Sequence, residues 1–266
     1  MKEKMRPYWS AFRLRALQET QYRAAALGGL VTNTFFGLIL IFLYQALYAG
    51  QTPQELQNVI TYVWLQQAFF RIMYSNDSEL NQQIRTGSIA YDLIRPLDQQ
   101  LWWSCRNLAS RLVSGLMRMA PMFAIQLLLP ADCRMALPAS PIAFLQFLFS
   151  ISLGVLCLTE IGSICDALNM ITLDPRGISG MLNLAMAALS GNVIPLTLFP
   201  ERFQALIRYQ PFAQALDAPI RMYLAPQAAG EFALNILVQL MWLVLFTGTA
   251  RRLWNSHLRR LVVQGG

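Results

Sequence analysis

Residues Ala24–Tyr48 read AAALGGLVTNTFFGLILIFLYQALY, twenty-five consecutive positions without a charged side chain. About 20 apolar residues in a helix cover the hydrocarbon core of a bilayer, so this run constrains the whole chain to a membrane. Further apolar runs cover Val59–Tyr74, Leu108–Leu129, Pro141–Cys165, Ile178–Leu198 and Phe232–Ala250. The second and third runs are weaker, because Arg71 interrupts one and Arg111 and Arg118 the other. Backbone polar groups in lipid must be satisfied inside their own segment, and no stretch alternates as a barrel strand does. The expectation is therefore an all-α integral membrane protein with six transmembrane helices. Composition agrees: 13% of the 266 residues are charged and 55% hydrophobic, where soluble domains carry about 25% charged residues.

Charge sets the orientation. With the N-terminus in the cytoplasm, fourteen Lys and Arg fall on inner segments and four, Arg134, Arg202, Arg208 and Arg221, on outer ones. The positive-inside rule then places both termini in the cytoplasm, and a bacterial inner membrane is the expected location. The same rule accounts for the net charge of +7 without nucleic acid. No small-residue cleavage site follows a short apolar core, so no removable signal peptide is expected. Residues 1–23 interleave Tyr8, Trp9, Phe12 and Leu17 with Arg6, Arg13 and Arg15, the pattern of an amphipathic helix lying in the inner interface against membrane lipids. Residues 24–250 hold the spans, and 251–266 form a basic tail. Cys105, Cys133, Cys157 and Cys165 fit no metal or redox spacing and are expected to be free thiols.

Two connections are unusual. The first inner loop, 75–100, contains IRTGSIAYDLIRPLD. Asn76 and Glu79 have the spacing of a capping box, Leu80 and Ile84 form an apolar stripe, and Gly87 suits a left-handed helix stop. Ile89, Asp92 and Leu93 follow, and Arg95-Pro96 ends the segment before Trp102 and Trp103. A short capped helix with a rigid return fits a docking element, with Ile84, Ile89 and Leu93 as apolar anchors and Arg85, Asp92 and Arg95 as oriented charges. The second connection, 192–221, reads NVIPLTLFPERFQALIRYQPFAQALDAPIR. It is too apolar for an ordinary loop and too rich in proline for one helix. Short helices dipping into the outer leaflet are expected.

Inside the spans, Arg111 and Arg118 are seven apart and share one helix face. Arg118 lies deeper, and Glu160 is a candidate partner for either. An ion pair locking helices and a contact to substrate in the pathway both remain open for Arg118 and Glu160.

The wording of these two connections resembles the permease subunits of ATP-binding-cassette exporters of the second export class (ABC-2). That resemblance implies a coupling helix in the loop between spans two and three, carried here by Ile84, Gly87, Leu93, Arg95 and Pro96. It also implies partly re-entrant outer helices between spans five and six, carried by Pro195, Phe199, Pro200 and Pro211, which would form an outer gate. The implied partners are ABC ATPase subunits and a second permease, the same chain or a paralogue.

The chain has no G-x-x-x-x-G-K-[ST] phosphate loop, so ATP and Mg are expected on the partner ATPase and no cofactor in this chain. Its one histidine, His257, can assemble no catalytic cluster within the spans, which argues against an enzyme. A membrane anchoring or assembly subunit and an ion-gradient-driven secondary transporter are the alternatives.

Overall fold

A computed structural model describes residues 2–21, 23–48, 50, 52–74, 79–172, 175–191, 196 and 199–258. Every regular element among them is helical. The order is α1 (Lys2–Glu19), α2 (Arg23–Leu47), α3 (Pro53–Met73), α4 (Glu79–Thr86), α5 (Ile89–Leu93), α6 (Gln99–Leu128), α7 (Pro141–Asn169), α8 (Pro175–Leu189), α9 (Glu201–Tyr209), α10 (Pro211–Ala215), α11 (Asp217–Leu224) and α12 (Ala229–Leu258).

Three of these helices are long and apolar enough to cross a membrane: Ala26–Leu47, Pro141–Asn169 and Ala229–Leu258. They coincide with the first, fourth and sixth expected spans. Helices α3 and α6 reach the needed length but carry buried polar side chains, Gln66, Gln67, Ser110 and Arg111 among them. The fifth expected span differs most. Helix α8 ends at Leu189, nine residues before the expected end, and Gly191 follows at φ +82°. Only glycine takes that conformation freely, so the chain turns there. The other boundaries move because caps decide them. Thr52 caps α3 through a reciprocal capping box with Glu55, and Asp98 caps α6 by accepting from the Leu101 N–H. At the C-terminus, α12 continues through Leu258, so the stretch expected as a tail begins as helix.

Helix α7 is the central post. It packs against α6, α8, α10, α11 and α12, while α6 packs against α1, α2, α3 and α7. Phe69, Phe147, Ile151, Leu216 and Ile220 form the core where α3, α7 and α11 meet. Trp64, Ile41 and Met122 fill the space between α2, α3 and α6. The 130–139 connection is tied down through its backbone. Trp64 donates to the Cys133 carbonyl at 2.7 Å, the Thr61 hydroxyl accepts from the Ala136 N–H at 2.9 Å, and Tyr223 donates to the Ala136 carbonyl at 3.1 Å. All four cysteines are free.

Candidate functional site

The segment after α3 is held from within. In α4, Leu80 and Ile84 turn towards a cluster that also contains Ala11, Ile89, Trp102, Trp103 and Trp254. Gly87 takes φ +73° and its N–H reaches the Ile84 carbonyl at 3.2 Å, ending α4. Helix α5 then runs back, and Ile89 is 1% exposed within this cluster. Leu93 is partly buried against the same group. The return is fixed by Gln99, which donates to the Asp92 carbonyl at 2.7 Å, and by the Arg95 guanidinium, which lies 5.5 Å from the Trp102 ring centre. Asp92 and Arg95 stand 3.5 Å apart. Asn76 lies outside the described residues, and the Glu79 carboxylate is turned to other partners.

Those partners clamp the segment to three long elements. Glu79 pairs with Arg15 of α1 at 2.8 Å and with Arg106 of α6. The Asp98 N–H donates to the Tyr8 hydroxyl at 3.0 Å, and the Asp98 carboxylate pairs with Arg251 of α12. Further along, Ser110 donates to Glu19 at 2.7 Å. Helix α1 thus runs alongside the first turns of α6. Trp254 closes the same end of the molecule by donating to the Ser163 carbonyl and hydroxyl at 2.9 and 3.0 Å.

What remains outward differs from the expected anchors. Ile89 faces its own core, with Ile84 and Leu93 half-buried beside it. The exposed apolar side chains are Tyr91, 74% exposed, and Ile94, 80% exposed. Arg85, Arg95 and Pro96 are exposed around them. The sequence alone does not single out Tyr91 and Ile94. Their signal is spacing: they lie three apart, on the side of the turn opposite Ile89 and Leu93.

At the far end of α7, helices α9, α10 and α11 occupy the proline-rich connection. Pro195 lies outside the described residues. Phe199 is partly buried, Pro200 precedes α9, and Pro211 opens α10, where its missing N–H costs nothing. Helix α9 leaves Phe203 and Leu206 exposed. Helices α10 and α11 are buried, and a ladder of amides holds them. Gln239 donates to the Ser150 hydroxyl at 2.8 Å and the Gln214 carbonyl at 2.6 Å, while Gln214 donates to Asn235 at 3.1 Å. Tyr62 donates to Asp217 at 2.8 Å, and Asp217 pairs with Arg221 at 2.7 Å.

Arg111 and Arg118 of α6 separate. Arg111 is buried and donates to the Ile72 and Met73 carbonyls at 2.6 and 3.2 Å, satisfying the end of α3. Arg118 points between α2 and α3. Glu160 is not its partner: it accepts from Gln100 at 3.2 Å, at the other end of α6. Eighteen residues separate Gln100 from Arg118, more than 20 Å along a helix at about 1.5 Å per residue. The expected ion pair is therefore absent among the described residues.

Residues 29–265 match the family described as ABC-2 family transporter protein. A search of curated proteins finds no match.

Proposed function

This chain belongs to the ABC-2 family of transporter proteins, and we propose that it is the permease subunit of an ATP-driven exporter, working with a second permease and two ABC ATPase subunits. The observation that carries the reading is the clamped segment 79–98. Its inward face is tied to α1, α6 and α12 by Glu79 and Asp98, and its outward face offers Tyr91 and Ile94 between Arg85 and Arg95. A partner that presses there acts at once on the ends of three long helices, as coupling requires. Ile84, Gly87, Ile89 and Leu93 hold the knob in shape; Tyr91, Ile94, Arg85 and Arg95 meet the ATPase, with Asp92 setting Arg95 and Pro96 fixing the return.

In this reading the membrane is the bacterial inner membrane, six helices cross it, both termini are cytoplasmic, and α1 lies at the inner interface. Helices α9 to α11 dip into the outer leaflet and close the exit, with Phe199, Pro200 and Pro211 at the gate. ATP and Mg bind the partner chains.

The test is reconstitution. The purified chain alone should hydrolyse no ATP. Co-expressed with its ABC ATPase, it should form a complex whose hydrolysis responds to substitutions at Tyr91 and Ile94. Hydrolysis by the isolated chain, or failure to bind any ABC ATPase, overturns the assignment.

A further inference from the structure

Arg118 sits on the face of α6 that meets α2 and α3, and its guanidinium lies directly against Gly29 of α2, where a Cβ would overlap it. Among the described residues it makes no hydrogen bond and no ion pair. A second arginine, Arg71 of α3, is its neighbour: Ile72, next to Arg71, packs directly on Gly115, one turn before Arg118. Among the described residues Arg71 itself reaches only a backbone carbonyl, that of Tyr74, at a long 3.4 Å. Both side chains are half-buried rather than sealed. Two carboxylates that contact α6, Glu19 and Glu79, are engaged elsewhere: Glu19 with Arg15 and Ser110, and Glu79 with Arg15 and Arg106.

Two like charges half-buried in a membrane protein repel each other and are costly without a counter-charge. The Arg118 guanidinium touches Gly29, three residues into the apolar stretch Ala26–Leu47. It therefore lies near the edge of that stretch on the side of α4 and α5 rather than at its centre. On the same edge of α2, seven residues beyond Gly29, Phe36 is exposed to the surroundings of the bundle.

We infer that Arg71 and Arg118 bind the phosphate of an anionic phospholipid, drawn from the leaflet on the α4–α5 side, with an acyl chain lying along α2 beside Phe36. Guanidinium groups match phosphate oxygens with paired N–H donors. Arg118 lies against α2, an apolar and largely exposed helix, which favours a headgroup over a soluble anion. The inference rests on the membrane reading but on neither the ATPase partnership nor the orientation, so its failure leaves those untouched.

The full chain, purified in detergent, is titrated with phosphatidylglycerol, with phosphatidylcholine and separately with inorganic phosphate. Thermal unfolding and native mass spectrometry are the readouts. Phosphatidylglycerol should raise the unfolding temperature and remain bound as one tight equivalent, while phosphatidylcholine and phosphate should do neither. R118Q should weaken that equivalent by about tenfold or more, and R71Q should weaken it less. R118K keeps the charge but not the paired donors; it should bind with intermediate affinity, and it serves as the test if R118Q does not fold. Unchanged retention by R118K and R71Q overturns the site. Equal stabilisation by inorganic phosphate overturns the lipid assignment in favour of a soluble anion.

Discussion

A Cβ on Gly154 would stand 2.5 Å from the carbonyl oxygen of Ala215. Helix α7 therefore touches the backbone of α10 with no side chain between them, and that contact seats the whole α10–α11 segment. Gly154→Ala should force the two apart and lower stability by about 1–3 kcal/mol, the usual cost of overpacking. Thermal unfolding in detergent measures it. The amide ladder of Gln214, Gln239 and Ser150 is next to the contact, so cysteines placed on α10 should become more reactive in the variant.

Glu79 carries a different load. It stands between Arg15 and Arg106, whose side chains are largely withdrawn from solvent. Glu79→Ala leaves both guanidinium groups short of an acceptor, at a cost of about 1–3 kcal/mol or more. The segment 79–98 should loosen from α1 and α6. Trypsin should then cut faster after Arg85 than in the parent chain, and an unchanged digestion rate would show that the apolar cluster alone holds the segment.

Much of this was legible in the sequence because it is local. Gly87 as a stop, Leu80 and Ile84 as a stripe, and short helices around Pro200 and Pro211 all follow from backbone chemistry within a few residues. The long apolar runs gave three helices directly. The partners of Glu79, Arg118 and Glu160 did not follow, because each depends on which helices become neighbours. Arg118 and Glu160 have the right charges to pair, yet Glu160 sits at the level of Gln100, about five turns of α6 away from Arg118. Tyr91 and Ile94 were hidden for a related reason: hydrophobic residues at 89, 91, 93 and 94 look alike until the fold decides which pair turns inward.

The charge asymmetry gives a topological expectation. A reporter inserted at Pro53 should be read outside, and one placed after Gly266 inside. Both positions flank helices long and apolar enough to cross, Ala26–Leu47 and Ala229–Leu258. An inside signal at Pro53 would remove the first crossing and with it the six-span arrangement.

The last expectation separates the two faces of α5. Ile94 is exposed and touches little of its own chain, so Ile94→Asp should leave insertion and thermal stability within experimental error of the parent. If Ile94 is a central contact of the ATPase, the same change should weaken the complex by about 2 kcal/mol, the scale of an interface hot spot. Leu93 behaves differently because it packs with Trp102 and Trp103. Leu93→Asp buries a carboxylate in that cluster, so it should lower the stability of the isolated chain as well as its affinity for the ATPase. Measuring both quantities for both variants distinguishes docking from folding. Ile94→Asp binding the ATPase as tightly as the parent would show that the partner does not seat on this face of α5.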